Sequence, residues 1–459
     1  MLLTEIESRI VQIAERKVKE FQKYHNNIDL INQRERRRIK NPIMKKVKTP
    51  EEWDVDKKFN PFYVLKHKKQ IAKSIFEKLI SGTYRPFTPY VKQIPKKNSS
   101  KTRPVHVYQI PDEAVSNYLY YRLLIKNKHR FSSFSYAYRY DRNVHYAIQD
   151  IALDIKENPR MFIAEFDFRD FFGSINHEYL YSQFNKNGFL ISDFESDLIR
   201  KFLSQTPGGV GIAQGTSISL FLANLACWSL DKKLESEGLR FARYADDTVI
   251  WSESYQKICR SFDIIQGFSR ETGVEINFDK SQGINLLSKE GLPSEFQSEK
   301  NTIEFLGYSI SSDNISIKHS SVNNIKKHIS YLLYKNLIQP LNSKPLQSVK
   351  IPNNDNDSDF VTAIMQIRRY LYGNLNENML KNYLNGSYKR LNFKGVMSFY
   401  PLLDDEQQMK ELDRWLLSTI LNALRKRNKL LIDHGHNRSY QFPFNVDKNS
   451  LLIECKRKK

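Results

Sequence analysis

Arg240-Phe241-Ala242-Arg243-Tyr244-Ala245-Asp246-Asp247-Thr248-Val249-Ile250-Trp251 is the stretch that decides the fold. Its flanks are rich in β-formers and its middle is small and acidic, so it reads as a hairpin whose tight turn carries two adjacent carboxylates, Asp246 and Asp247. An Asp-Asp turn can simply be a solvated loop. Beside a third carboxylate the same pair becomes a cage for a divalent metal, and the rest of the sequence has to say whether a third exists.

It lies upstream. Met161-Phe162-Ile163-Ala164-Glu165-Phe166-Asp167-Phe168 reads as a buried strand ending in an acid, Asp167, which is costly there unless a cation or hydrogen bonds compensate it. The glycine-rich run 207–216 leads into a helix from Ser217 and places the Gln214 amide, with Gly215 beside it, at the helix mouth. After the hairpin, a helix over Tyr255–Thr272 sets Ile258, Phe262 and Ile265 on one face and stops at Gly273. Val274–Lys280 is then expected to return as a strand carrying Lys280, and Phe305-Leu306-Gly307-Tyr308 to start another short hairpin. Strand, helical insert, hairpin, helix, strand: this order predicts a small antiparallel sheet with helices on one face, an α+β plan.

The chain has 459 residues, enough for two or three domains. Lys and Arg number 72 against 51 Asp and Glu, a formal net charge of +21 that points to a polyanionic partner, most simply nucleic acid. No stretch approaches the ~20 apolar residues of a spanning helix, which argues against a membrane protein. Cys227, Cys259 and Cys455 are scattered and form neither a disulfide framework nor a zinc pattern, so a reducing cytoplasm is the expected location.

Residues 1–60 open with a helix and continue as a basic run from Arg34 to Lys48, which is a solvated face or an arm on a nucleic-acid backbone. The polar, basic loop Lys96–Pro104 is suited to clamp nucleotide phosphates, with Arg103 as the first choice for the contact and Lys101 the second. Ser135-Tyr136-Ala137-Tyr138-Arg139-Tyr140 fits either a base-stacking platform or a set of buried tyrosines. Beyond Lys318 the sequence turns helical and basic, with a flexible linker expected over Asn342–Asp359. A helix over Glu406–Arg427 is expected to close with Arg425-Lys426-Arg427 at its C-terminal turn. His434-Gly435-His436 reads as a surface loop. Asp167, Asp246 and Asp247 together suit two-metal phosphoryl transfer, for which oxygen-seeking Mg2+ is the natural ion and Mn2+ a possible substitute.

At this point the residues resemble the reverse transcriptase family. Phe166-Asp167-Phe168-Arg169-Asp170-Phe171-Phe172 is similar to its first catalytic motif, Gln214-Gly215 with Ser219 and Ala223-Asn224 to its second, and Tyr244-Ala245-Asp246-Asp247 to its third. Gly273–Lys280 is similar to its fourth, Phe305-Leu306-Gly307-Tyr308 to its primer grip, and Arg103-Pro104 and Tyr138-Arg139 to the fingers of bacterial members.

The resemblance implies a right-hand polymerase: a basic helical extension at 1–60, fingers and palm at 61–318, and an all-helical thumb with a basic C-terminal extension at 319–459. It implies that Asp167, Asp246 and Asp247 hold two Mg2+ ions and that Lys280 protonates the leaving pyrophosphate. Gln214, Gly215 and Tyr244 would lie at the incoming nucleotide. Phe172, five positions after Asp167, would be a gate against a 2′-hydroxyl, selecting dNTPs and a DNA product. Intron and retron enzymes usually read Ser-Pro where this chain has Ser219-Leu220. It also shows no Val-Thr-Gly in the thumb region and no Cys/His-rich endonuclease module.

The expected function is therefore RNA-directed DNA synthesis of the abortive-infection, defence-associated type, on a structured noncoding RNA and directed against bacteriophage. Alternatives are template-independent or protein-primed DNA synthesis, a retron- or intron-type enzyme, or a silent RNA-binding scaffold. A homo-oligomer or a partner protein is compatible with any of these.

Overall fold

The computed structural model describes residues 3–38, 41–95, 102–158, 160–281, 283–289, 299–342, 357–435 and 447–457. They form two compact units, one of Met1–Asn27 with Lys46–Asn301, the other of Ile28–Lys45 with Thr302–Lys459.

The first unit is α+β. A two-stranded antiparallel hairpin, β1 (Tyr90–Pro95) and β2 (Thr102–Val107), precedes the main sheet. That sheet comprises β3 (Arg160–Phe166), β4 (Arg240–Tyr244), β5 (Asp247–Ser252), β6 (Ile284–Ser288) and β7 (Glu299–Lys300), in the order β4-β5-β3-β6-β7. All its pairings are antiparallel except β6 with β7. β3 is central because Met161, Ile163, Ala164 and Phe166 are all buried, and β5 buries a continuous run from Thr248 to Trp251. The Phe166–Thr248 register brings the end of β3 level with the start of β5, so Asp167 and Asp247 leave the sheet at the same edge. Helix Tyr255–Thr272 packs on β3 and β5 through Ile258, Ile265 and Phe268, capped by Ser254 and closed by left-handed Gly273. Helices Trp228–Ser236 and Val144–Glu157 pack on β4.

Val274–Lys280 does not form the expected strand. Ile276 makes one bridge to Phe168, and the chain then turns back, Lys280 and Ser281 both donating their N–H groups to the Asn277 carbonyl. The alternation of Val274 and Ile276 is real, but the pairing stops at that one bridge, made by the Asn277 N–H on the Asp167 carbonyl and the Arg169 N–H on the Glu275 carbonyl. The returning strand is β6.

The second unit contains a small sheet of β8 (Ile303–Phe305), β9 (Tyr308–Ile310) and β10 (Ile315–Ile317), with helices His319–Leu333, Ser358–Tyr372 and Glu406–Asp433 around a core that includes Leu337, Phe360, Ile364 and Leu424. Helix Glu406–Asp433 runs past the expected end at Arg427. Its apolar pattern continues to Leu431, and Arg427 is buried, with Nε on Asp357 Oδ2 at 2.7 Å, Nη1 on the Leu337 carbonyl at 2.9 Å and Nη2 on Asp359 at 3.3 Å. Arg427 is thus a core ion-pair partner rather than a cation at a helix end. Of the basic run near the N-terminus, Arg34 is tied to buried Asn336, while Arg36 and Arg37 are exposed. Most of the proposed linker, together with His436, lies outside the described residues. No helix among the described residues is long and apolar enough to cross a membrane.

Asp112, on helix Ile110–Asn127, is buried and accepts from Tyr84 Oη at 2.8 Å and the Phe87 N–H at 3.0 Å. Burial nevertheless pushes its carboxyl up to about 6. Between about pH 4 and 6 the folded chain therefore holds a proton that the unfolded chain has lost, so this group's contribution to stability declines as pH rises. Urea unfolding of wild type and Asp112→Asn from pH 4 to 7 should show their free-energy difference shifting in the variant's favour by on the order of 2–3 kcal/mol. A pH-independent difference would contradict it.

Candidate active site

The turn between β4 and β5 is two residues, Ala245 and Asp246, with Tyr244 opposite Asp247. Ala245 has φ 61° and Asp246 does not share the left-handed region, the pattern of a mirror-type hairpin turn whose first central position normally takes glycine. Placing alanine there costs about 1–2 kcal/mol. The compensation comes from beneath. Arg243 is fully buried, its Nε and Nη2 each 2.6 Å from a carboxylate oxygen of buried Asp231. Its Nη1 donates to the Ala245 carbonyl at 3.0 Å and reaches Asn224 Oδ1 at 3.4 Å, while Nη2 also donates to Ser135 Oγ at 2.7 Å. The acidic turn is therefore held by its own preceding strand residue.

Asp167 follows β3 directly. Its Oδ2 accepts from Asn277 Nδ2 at 2.6 Å and from Lys280 Nζ at 3.0 Å, and its carbonyl accepts the Asn277 N–H at 2.8 Å. The Asp167 contact raises the Lys280 ammonium above its ordinary range, and the charges of Asp247 and Asp246 add to it. Burial raises the Asp246 carboxyl, and Asp167's charge raises it further against the opposing pull of Lys280 and Arg243. Asp167, Asp246, Asp247 and Lys280 thus act on one another as a single charge cluster. Among the described residues no group of three His, Cys, Asp or Glu side chains is drawn together closely enough to hold a metal ion, Asp167 being engaged by Lys280 and Asn277. The donor set is all carboxylate oxygen, which suits a hard cation, and a cation would oppose the burial and the Asp167 charge that raise Asp246.

Beside the cluster, the half-buried ring of Phe172 packs edge-on against Phe171 (centroids 5.6 Å apart) and Tyr138 (6.3 Å). Its carbonyl accepts the Ile212 N–H at 2.6 Å, which lays the glycine-rich loop alongside. In that loop Gln214 accepts the His106 N–H at 2.7 Å, and a Cβ at Gly215, where φ is 126°, would come within 2.1 Å of the His106 carbonyl. Only glycine lets the loop lie this close to β2. Arg103 is exposed on β2, and Lys101 is outside the described residues. Tyr244 is half-buried, its ring 6.5 Å from that of Tyr138. Phe305-Leu306-Gly307-Tyr308 belongs to the second unit, where Leu306 and Gly307 turn between β8 and β9 and Tyr308 donates to the Phe399 carbonyl at 2.8 Å.

Three residues central to this arrangement escaped sequence reasoning: Asp231, Asn277 and the structural role of Arg243. The signal for Arg243 was present, because a charge inside the apolar run Phe241-Ala242-Arg243-Tyr244 demands a buried partner. Nothing local says that the partner is Asp231.

A family model described as reverse transcriptase (RNA-dependent DNA polymerase) matches residues 94–310. Protein YkfC of Escherichia coli strain K12 is 26% identical over 193 residues, covering 39% of this chain and 49% of that protein. The retron Ec86 reverse transcriptase of Escherichia coli is 30% identical over 125 residues, covering 26% and 37% respectively. The group II intron-encoded protein LtrA of Lactococcus lactis subsp. cremoris is 28% identical over 190 residues, covering 39% and 30%. The chain thus spans half or less of the length of these relatives.

Arg243→Ala leaves the Asp231 carboxylate buried without its partner and should lower unfolding free energy by about 3–5 kcal/mol in urea titrations. A loss below about 1 kcal/mol, the range of an exposed pair, would show that the pair does not hold the turn.

Proposed function

We propose that the chain is an RNA-directed DNA polymerase that polymerises dNTPs, a reading supported by the match of residues 94–310 to the reverse transcriptase family model. The observation that carries this reading is geometric: the β3–β5 register brings Asp167 and Asp247 out of the sheet together, Asp246 precedes Asp247 in the turn, and Lys280 Nζ lies 3.0 Å from Asp167. Asp167, Asp246 and Asp247 would hold two Mg2+ ions, which when bound activate the attacking hydroxyl and steady the leaving pyrophosphate. The chain's own side chains supply the rest. Lys280 is exposed and charged beside the acids, so its ammonium can meet the phosphates and give a proton to the departing pyrophosphate. Arg103, exposed on β2, would meet the triphosphate. Phe172, backed by Phe171 and Tyr138, fills the space a 2′-hydroxyl would need. Gln214 and Gly215 line the nucleotide's approach, where the loop lies against β2.

In this reading residues 61–318 serve as fingers and palm, Phe305–Tyr308 as primer grip and 319–459 as thumb and extension. The net charge of +21 suits a long polyanion, here a structured noncoding RNA template. Ser219-Leu220 in place of Ser-Pro, and the lack of Val-Thr-Gly, favour a role in defence against bacteriophage over a retron or intron role. The free thiols of Cys227 and Cys259 suit a reducing cytoplasm.

Asp246→Ala combined with Asp247→Ala should abolish Mg2+-dependent dNTP incorporation, and any protection of cells against phage, while filter-measured RNA binding persists. Synthesis by the double variant would refute the assignment. Phe172→Ala should raise ribonucleotide incorporation relative to deoxyribonucleotide by on the order of tenfold or more. Unchanged discrimination would remove Phe172 as the gate.

A further inference from the structure

The run Ser135–Tyr140 does two different jobs. Tyr136 is buried and hydrogen-bonds Asp150, and the Arg139 guanidinium is spent on the carbonyls of Ser132 and Ser135 at 2.6 and 3.3 Å. These two are internal braces. Tyr138 is not. Its backbone is left-handed, with φ 59°, a conformation that a bulky aromatic residue rarely adopts and that persists only where the surroundings impose it.

The surroundings do impose it. Tyr120 Oη donates to the Tyr138 carbonyl at 2.9 Å, Asn224 Nδ2 donates to the Ala137 carbonyl at 2.9 Å, and the Tyr136 N–H donates to the Arg243 carbonyl at 3.0 Å. Two of these three partners belong to elements of the candidate site itself: Asn224 to the helix after the glycine-rich loop, Arg243 to the strand that carries the acidic turn. The strained backbone sends the Tyr138 ring between Phe172 (6.3 Å, planes at 70°) and Tyr244 (6.5 Å, planes at 47°). Phe172 has a fixed neighbour on one side in Phe171, and Tyr138 meets it as a second. A gate that must distinguish a hydrogen from a hydroxyl works only if its ring cannot swing aside, and a ring backed on one side alone retains that freedom.

We infer that Tyr138 is a positioning residue for sugar discrimination: its ring fixes the angle of Phe172, so that selection of deoxyribonucleotides depends on the pair rather than on Phe172 alone. The inference rests on the polymerase reading of the site and adds to it a residue that would not touch the sugar. Removing the ring frees the gate. Removing only the hydroxyl leaves it backed.

The test compares wild type with Tyr138→Phe, Tyr138→Ala and Tyr138→Gly, the last because glycine accepts the left-handed backbone without strain and so guards against misfolding. Dissociation constants for a fluorescent dNTP and the matching rNTP give a readout independent of turnover, and kcat and KM for each nucleotide are measured alongside. Tyr138→Phe should keep wild-type selectivity within about twofold, while the Ala and Gly variants should lose on the order of tenfold of it, chiefly through tighter rNTP binding and lower rNTP KM. A general structural defect would instead weaken both nucleotides equally and leave their ratio unchanged. Wild-type selectivity in Tyr138→Gly overturns the inference while leaving the polymerase reading intact. A wild type that binds dNTP and rNTP alike overturns the gate and this inference together.

Discussion

The five N–H donors of one guanidinium organise the site. Arg243 spends Nε and one Nη2 hydrogen on Asp231, the other Nη2 hydrogen on Ser135, and its two Nη1 hydrogens on the Ala245 carbonyl and Asn224. Four segments meet at this fork: helix Trp228–Ser236, helix Ile218–Ala226, the acidic turn itself and, more than a hundred residues upstream, the loop before Tyr138. A lysine could not satisfy them, having three donors and no planar fork. Burying so much charge is costly unless it is paired, which is why Asp231 is as fully buried as its partner. A buried ion pair of this kind contributes less to net stability than to uniqueness of arrangement. Here the arrangement is the left-handed Ala245 that presents Asp246.

On the other side of the sheet edge the problem is repulsion rather than strain. Burial raises the Asp246 carboxyl and the charge of Asp167 adds to it, while Lys280 and Asn277 answer at Asp167. Proteins keep acids in such company where a cation or a developing charge has to be met. The chain between Val274 and Lys280 makes one bridge, Ile276 to Phe168, and then turns so that the Asn277 and Lys280 side chains reach Asp167.

Much of this was legible because the signals were local. The β-rich flanks around Asp246-Asp247, the apolar run ending at Asp167 and the Gly273 stop of helix Tyr255–Thr272 depend on residues a few positions apart. What stayed hidden depends on partners far along the chain. Arg427 looks like a helix-end cation until Asp357 and Asp359 are placed against it. Arg243 and Asp231 each look anomalous alone and ordinary together. Tyr136 and Tyr138, two residues apart, cannot be told apart by composition, yet one is buried on Asp150 and the other set against Phe172. The glycines of the loop before Ser217 were visible, but the reason for Gly215, the His106 carbonyl 2.1 Å from where a Cβ would stand, was not.

The most direct test is single-nucleotide extension of a DNA primer on RNA templates that differ only in the first uncopied base. An RNA-directed DNA polymerase built on these residues should extend each template with the complementary dNTP, in preference to the other three and to the complementary rNTP, and only with Mg2+ or Mn2+ present. Incorporation of the same nucleotide whatever the template base would contradict templated synthesis.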